Sequence, residues 1–318
     1  MNKKFGLTIL AVLLTILLGG GGILVSRLFT DAPREEEQTD AQTSTTSTET
    51  ENSTGEMEVT FLDVGQGDCT IIRTEGHAMM VDAGSNKAGK DVADYLAQEG
   101  IDTLDYLVLT HPDADHIGGG DNVLESVKVK QVLMLNLVNE TKTYEEVIQD
   151  IQEYQVETVY PVSGETYQLG DASFTILSPE EGYSYDEGTR GVSVGIRLVH
   201  GEKSFVMCGD AEEREEKNIV SRFGSQLECD VLKCGHHGSS TATCEEFLEA
   251  CNPTWAIISC GEGNSYGHPH AEVLARLEDD DVQIYRTDQL GTIRAISDGK
   301  QITWSHGSDL EQMGGSEE

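Results

Sequence analysis

The chain has 318 residues, 37% of them hydrophobic, enough to bury one large core and too many for a wholly disordered protein. Its 21 Lys and Arg stand against 57 Asp and Glu, a formal charge of −36. Residues 1–56 hold 4 basic and 8 acidic side chains, which leaves 17 against 49, or −32, for the rest. An acidity spread through the folded part argues against a general polyanion-binding surface.

In chain order, Lys3 and Lys4 precede an uncharged run from Phe5 to Ser26, and Arg27 closes it. At about 1.5 Å per residue such a run spans a hydrocarbon core of about 30 Å. The pattern reads as a cytoplasmic stub over residues 1–4 and a single-pass signal anchor over 5–28, with everything after it outside the cell membrane. Secretion after signal cleavage is the alternative, although no A-x-A pattern follows the run and Thr30-Asp31-Ala32 precedes Pro33. Residues 29–56 read as a disordered acidic linker: from Asp31 onward they lack any aromatic or large aliphatic side chain to offset the entropy of ordering.

A globular domain is expected over 57–304, with a disordered tail at 305–318. Short β runs open it: MEVTFLDVG, DCTIIRT and HAMMVDAG. KAGKDVADYLAQEG reads as an amphipathic helix closed by Gly100, and LDYLVLT as a buried strand running into HPDADHIGGG. The helix TYEEVIQDIQEYQ and the strands ASFTILS, VSVGIRLVHG and KSFVMCGD follow. Next come the helix AEEREEKNIVSRF, the strand CDVLKCG, the helix TCEEFLEAC and the strand TWAIISCG. The helix AEVLARLEDD and the strands VQIYRTD and GTIRAISDG finish the domain. Hairpins alternate with helices in both halves, which predicts two β-sheets with helices on their outer faces. Seven scattered cysteines without a C-x-x-C pair predict buried thiols rather than a disulfide framework.

The densest chemistry lies at Thr110–Gly119. His111, Asp113, Asp115 and His116 fall within six positions at the end of an apolar strand. An extended chain would point His111, Asp113 and Asp115 to one side, with His116 joining as the chain turns into a helix. Two imidazoles and two carboxylates so close can hold two divalent ions with an acidified water between them. A polar loop with Asp capping a helix is the plain alternative, but it needs neither histidine. Asp63 and Asp68 in LDVGQGD read as turn residues, and Asp288 in YRTDQLG as hairpin chemistry or a contact at the site's edge. His77, His200, His270 and His306 read as ordinary loop, helix-start or tail residues.

THPDADHIGG resembles the H-x-H-x-D-H signature of the metallo-β-lactamase superfamily, with Asp113 in place of the second histidine. With LDVGQGDCTII, VDAG, FVMCGDAEE, DVLKCGHHGSS, AIISCGEGNSYGHPH and IYRTDQLG, the chain from 57 to about 297 is similar to the extracellular hydrolase domain of ComEC-type competence proteins. Their many-helix DNA channel and oligonucleotide-binding domain are not seen, so the resemblance is to stand-alone, singly anchored members. It implies a four-layer αββα fold, two mixed sheets flanked by helices, and a metal-bridging hydroxide that attacks a phosphodiester. Asp82 would orient the metal loop, and Asp210 would bridge the two metals unless it merely caps the helix after it. Of the late histidines His236, His237 and His268, one would be a ligand and one a proton donor, with His268 expected as ligand and His237 as donor. The expected metal set is therefore His111, Asp113, Asp115, His116, Asp210 and His268, with His237 the rival for the late position, and the expected catalytic set is Asp115, His237 and Asp82.

The chain departs from the family where an Asn-rich stretch gives way to Thr189-Arg190-Gly191-Val192-Ser193-Val194, and no histidine lies between 117 and 199. An oxygen-rich site follows, which moves the preference from Zn²⁺ towards Mn²⁺ while keeping both open. The expected partners are two such ions, the membrane through the first helix, and a phosphodiester substrate with nucleic acid among the candidates. A small phosphodiester or ester is the second enzyme reading, and a catalytically reduced accessory module of a DNA-uptake or surface system the third.

Overall fold

Two β-rich halves of the sequence each fold into one sheet. The computed structural model describes residues 55–183 and 191–307. The expected anchor at 5–28, all but the last residues of the linker and the tail from 308 lie outside the described residues. Among the described residues no helix is long and apolar enough to cross a membrane.

The first half contributes β1 (Met57–Phe61), β2 (Thr70–Thr74), β3 (His77–Val81), α1 (Gly89–Gln98), β4 (Thr103–Leu109), α2 (Ala114–Ile117), α3 (Gly120–Ser126), β5 (Lys128–Met134), α4 (Lys142–Glu153) and β6 (Glu157–Val159). The second contributes β7 (Thr166–Leu169), β8 (Ala172–Ser178), β9 (Gly195–His200), β10 (Lys203–Met207), α5 (Glu213–Phe223), β11 (Val231–Lys233), α6 (Glu245–Cys251), β12 (Trp255–Ile258), α7 (Ala271–Asp279), β13 (Gln283–Arg286) and α8 (Thr287–Leu290). The final hairpin, β14 (Ile293–Ser297) and β15 (Ile302–His306), returns to the first sheet.

The eight-stranded sheet runs β15-β14-β1-β2-β3-β4-β5-β6 and the seven-stranded sheet β13-β12-β11-β10-β9-β8-β7. Each is antiparallel at first and then parallel: β3 through β6 in one, β10 through β13 in the other. Both are mixed sheets, as expected.

Three apolar layers hold the four structural layers together. Phe61, Met79, Phe174, Phe205 and Ile257 meet between the sheets. Val92, Leu96, Val123, Val147 and Ile151 seat α1, α3 and α4 on the first sheet, and Ile219, Phe247, Leu248, Val273 and Leu277 seat α5, α6 and α7 on the second. Burying each such side chain contributes about 1.5–3 kcal/mol, so these stripes fix the αββα order. All seven cysteines are buried and unpaired, six of them in the layer under α5–α7.

Several elements depart from the sequence reading. β15 carries Ser305 and His306 into the sheet, so the fold runs past the expected end at Trp304. Asp288 lies on α8 rather than in a hairpin, where it pairs with Arg286 at 2.6 Å. The metal loop is not extended throughout: β4 ends at Leu109, and Asp115 and His116 already lie on the short helix α2.

Candidate metal centre

The loops that carry the ligand-type residues leave the carboxyl ends of strands: Asp82 after β3, His111 after β4, Asp210 after β10, His236 and His237 after β11. Parallel strands bring these ends to one rim, where open α/β sheets place their ligands. Close backbone packing aligns the loops. Gly67, at φ +147°, lies where an added Cβ would stand 2.4 Å from the Asp115 carbonyl oxygen, and Gly119 where it would meet the Ala83 carbonyl at 2.3 Å.

Asp82 works behind the site. Its Oδ1 accepts from the Thr110 amide at 2.8 Å, and its Oδ2 accepts from the Thr110 hydroxyl at 2.7 Å and from His116 Nδ1 at 2.8 Å. His111 Nδ1 lies 3.1 Å from the same Thr110 hydroxyl, and His237 Nδ1 donates to the Ser259 carbonyl at 3.0 Å. His236 Nδ1 lies 3.2 Å from the Thr241 hydroxyl. Each of the four rings is thus tied through Nδ1, which leaves Nε2 facing the centre.

All four Nε2 atoms face Asp210. His116 Nε2 is 3.1 Å and His237 Nε2 3.8 Å from Asp210 Oδ1, while His111 Nε2 and His236 Nε2 are each 3.6 Å from Oδ2. Asp115 Oδ2 stands 3.2 Å from His237 Nε2, and Asp113 Oδ2 3.8 Å from His111 Nε2. The helix-capping alternatives fail for both aspartates: Asp113 makes no side-chain cap hydrogen bond to α2, and the residue capping α5 is Glu212.

Asp68, which reads as a turn residue in sequence, is built into the site, and so is Lys233. Asp68 is 2% and Lys233 4% exposed, and the Lys233 ammonium lies against Asp68 Oδ2. Asp68 Oδ1 is also 3.3 Å from His237 Nδ1, and Oδ2 3.8 Å from His116 Nδ1. Asp68, His116, Asp210 and His237 lie close enough to hold one ion between them. Asp68, however, meets the Nδ1 edges, whereas Asp210 and Asp115 meet Nε2, so Asp68 buttresses the rings from behind. The one available signal was an acid and a lysine flanked by apolar strand residues, in GQGDCT and VLKCG.

His268 falls outside that group. Its ring centroid is 5.6 Å from that of His236 and 6.1 Å from that of His237, and Tyr266 stacks on its other side at 5.5 Å. Of the two late histidines, His237 is the one that lies with His116 and Asp210 in a group close enough to share an ion, and the left-handed backbone at His236 and His237 accompanies that placement.

Electrostatics match a site built for cations. Burial would raise the Asp210 carboxyl, but the His116 and His111 imidazoles hold it well below the usual range. Burial likewise opposes charge on His237, yet Asp68, Asp115 and Asp210 outweigh it and push the ring up to about 9. His111 is lowered by burial and by His116 beside it, and burial with three neighbouring histidines takes His268 down to about 4. The buried His111 Nε2 has no hydrogen-bond partner, and Asp210 Oδ1 has no close partner beyond the His116 ring at 3.1 Å. Their unmade bonds are what a metal ion would satisfy. The donor set of imidazole nitrogens and carboxylates fits divalent ions.

Residues 62–261 match the Lactamase_B family, described as the metallo-beta-lactamase superfamily. The chain belongs to that superfamily. Its superfamily relatives include competence-type proteins. ComE operon protein 3 of Bacillus subtilis is 34% identical over 75% of this chain and 33% of its own length. Recombination protein 2 of Haemophilus influenzae is 31% identical over 74% of this chain and 28% of its own. The chain thus spans about a third of the length of the curated relatives it matches. Among solved structures, the metallo-beta-lactamase fold protein YhfI from Bacillus subtilis superposes with a TM-score of 0.51 at 13% identity, over 80% of this chain and all of that one. That likeness supports the superfamily fold expected from the sequence.

Proposed function

We propose that this chain is a divalent-metal-dependent phosphodiesterase that acts outside the membrane, on nucleic acid as the leading substrate class. One observation carries the reading: four imidazole Nε2 atoms face the two oxygens of Asp210, with Asp113 beside His111 and Asp115 beside His237. Asp115, His116 and His237 with Asp210 Oδ1 would hold one ion, and His111 and Asp113 with Asp210 Oδ2 would begin a second position. Mn²⁺ suits the three carboxylates and Zn²⁺ the imidazoles. Divalent ions supply Lewis acidity towards a phosphoryl or carbonyl oxygen and lower the pKa of a water to near neutrality.

The protein's own part is positioning. Asp82, Thr110 and Asp68 fix the rings through Nδ1, so that no reorganisation is needed when substrate arrives. Asp210 would lie between the two positions, with one oxygen turned to each pair of rings. His268 stands beside His236 and His237 at the edge of the site, its ring held neutral by burial and by the neighbouring histidines. An extracellular location is supported by Lys3 and Lys4 ahead of the apolar run and by the competence-type relatives; secretion after cleavage is its alternative.

A second reading, hydrolysis of a small phosphodiester or ester, draws on the cavity beside the site. Its volume is about 370 Å³, it contains Asp113, Glu212 and His236, and no Lys or Arg is among its described lining residues. A polyanion would gain nothing there beyond its contacts with the ions. Metal analysis of protein purified without chelator, followed by turnover of DNA and of bis-(p-nitrophenyl) phosphate, tests both. Cleavage of DNA supports the first reading, cleavage of the small diester alone the second, and metal-loaded protein inert on both removes them together.

A further inference from the structure

We infer that His236 is the imidazole ligand that completes the first metal position, together with His111, Asp113 and Asp210. The inference rests on the metallo-hydrolase reading above and deepens it. No histidine between 117 and 199 is present to serve that position, and the structure supplies one from a different place in the chain.

The argument is geometric. Asp210 divides the four rings between its oxygens: His116 and His237 face Oδ1, His111 and His236 face Oδ2. Asp115 stands on the first side and Asp113 on the second. Each side therefore offers two imidazoles facing the shared carboxylate and one aspartate beside one of those imidazoles. Two donors about 2.1 Å from one ion at a tetrahedral angle lie about 3.4 Å apart. The separations on the Oδ2 side, 3.6, 3.6 and 3.8 Å, are near that spacing and too long for hydrogen bonds.

The backbone is shaped for this split. His236 (φ 49°, ψ 47°) and His237 (φ 54°, ψ 24°) are consecutive left-handed residues, neither of them glycine. Each costs about 1–2 kcal/mol, and such strain persists where surrounding contacts enforce it. Here the His236 amide donates to the Gly209 carbonyl at 3.1 Å and the Gly235 amide to the Thr243 hydroxyl at 3.1 Å. The histidine turn is thereby locked to the residue preceding Asp210. The strain sends two successive rings to opposite oxygens of one carboxylate, which an extended or helical pair could not do.

The two positions differ in access. His116 and His237 are buried, whereas His236 is 32% exposed at its side chain and lines the cavity with His111, Asp113 and Asp210. The position that His236 completes is the one that opens to substrate and exchanges metal more readily.

The test is metal content and affinity, independent of turnover. His236→Asn keeps a residue that tolerates the left-handed backbone and shortens the side chain out of reach; His236→Ala is the second variant. Both are loaded with Mn²⁺, gel-filtered and measured by elemental analysis and by titration of free Mn²⁺, with circular dichroism in chelator as the check on folding. Wild type should hold two equivalents and both variants one, with the weaker Mn²⁺ site at least tenfold weaker. Asp113→Ala should lose the same equivalent, and Asp113→Ala combined with His236→Asn no more than either alone. Folded variants that keep two equivalents at wild-type affinity would overturn the role of His236 and leave the metallo-hydrolase reading standing. Wild type that takes up no ion, or one only, overturns both.

Discussion

Breaking the buried pair of Lys233 and Asp68 from one side should destabilise this fold strongly. Both side chains are nearly inaccessible, at 4% and 2% exposure. Lys233→Met keeps the aliphatic stem in β11 and removes only the ammonium. Asp68 would then keep a buried charge beside His237 Nδ1 at 3.3 Å and His116 Nδ1 at 3.8 Å, neither as close a partner as the lysine. Breaking a buried pair from one side costs about 3–5 kcal/mol. In a domain of this size each kcal/mol moves the melting temperature by about 2–4 °C, so a loss of roughly 6–20 °C is expected. Adding Asp68→Asn removes the stranded charge, and the double variant should regain at least about 1 kcal/mol over Lys233→Met alone. Urea unfolding followed by circular dichroism in chelator, at pH 7, isolates the protein's own stability from that of bound metal. A Lys233→Met variant within about 1 kcal/mol of wild type, or a double variant that loses the sum of the singles, would refute the argument.

Other outcomes follow from the same geometry. Asp115→Ala should lose one metal equivalent and nearly all hydrolysis, read by elemental analysis and turnover; full activity at wild-type metal content would contradict it. His268→Ala should retain both equivalents and slow turnover most for poor leaving groups, and loss of an equivalent would restore it as a ligand. Metal-free His237 is held up to about 9 and so carries its proton at pH 7, whereas a ligand must be neutral. Metal affinity should therefore rise between pH 6 and 9 with release of a proton, seen as a buffer-dependent heat in calorimetry; a flat profile counts against it. Gly67→Ala places a Cβ 2.4 Å from the Asp115 carbonyl, at a φ that suits glycine. It should cost at least about 1–3 kcal/mol and weaken the metal held by Asp115, by urea unfolding and Mn²⁺ titration.

Much of this was legible in the chain because its signals were local. Apolar runs such as LDYLVLT and KSFVMCGD read as strands, and the stripes of α1, α4, α5, α6 and α7 stood at helical spacing. The cluster from His111 to His116 marked a candidate metal loop by its density, and His116 lies in the group close enough to share an ion. What stayed hidden depended on distance or on backbone sign. Asp68 and Lys233 are 165 positions apart, and each alone looks like a turn or surface residue. His237 and His268 both follow strand ends beside glycine, so pattern could not rank them. The left-handed pair at 236–237 ranks them, and no periodicity reports it. β6, β7 and β15 are short strands of mixed burial whose place is set by their neighbours.

The seven buried thiols have a practical consequence for how this protein lives and is handled. While the fold is closed, none presents its sulfur to an alkylating reagent or an oxidant. Once it opens fully, all seven are exposed to oxidants and to one another. A chain that passes through an oxidising space unfolded therefore races its own folding against mispaired sulfur bridges. The same seven atoms make a built-in clock: the rate at which a thiol reagent is consumed reports how often the native protein opens, with no label added.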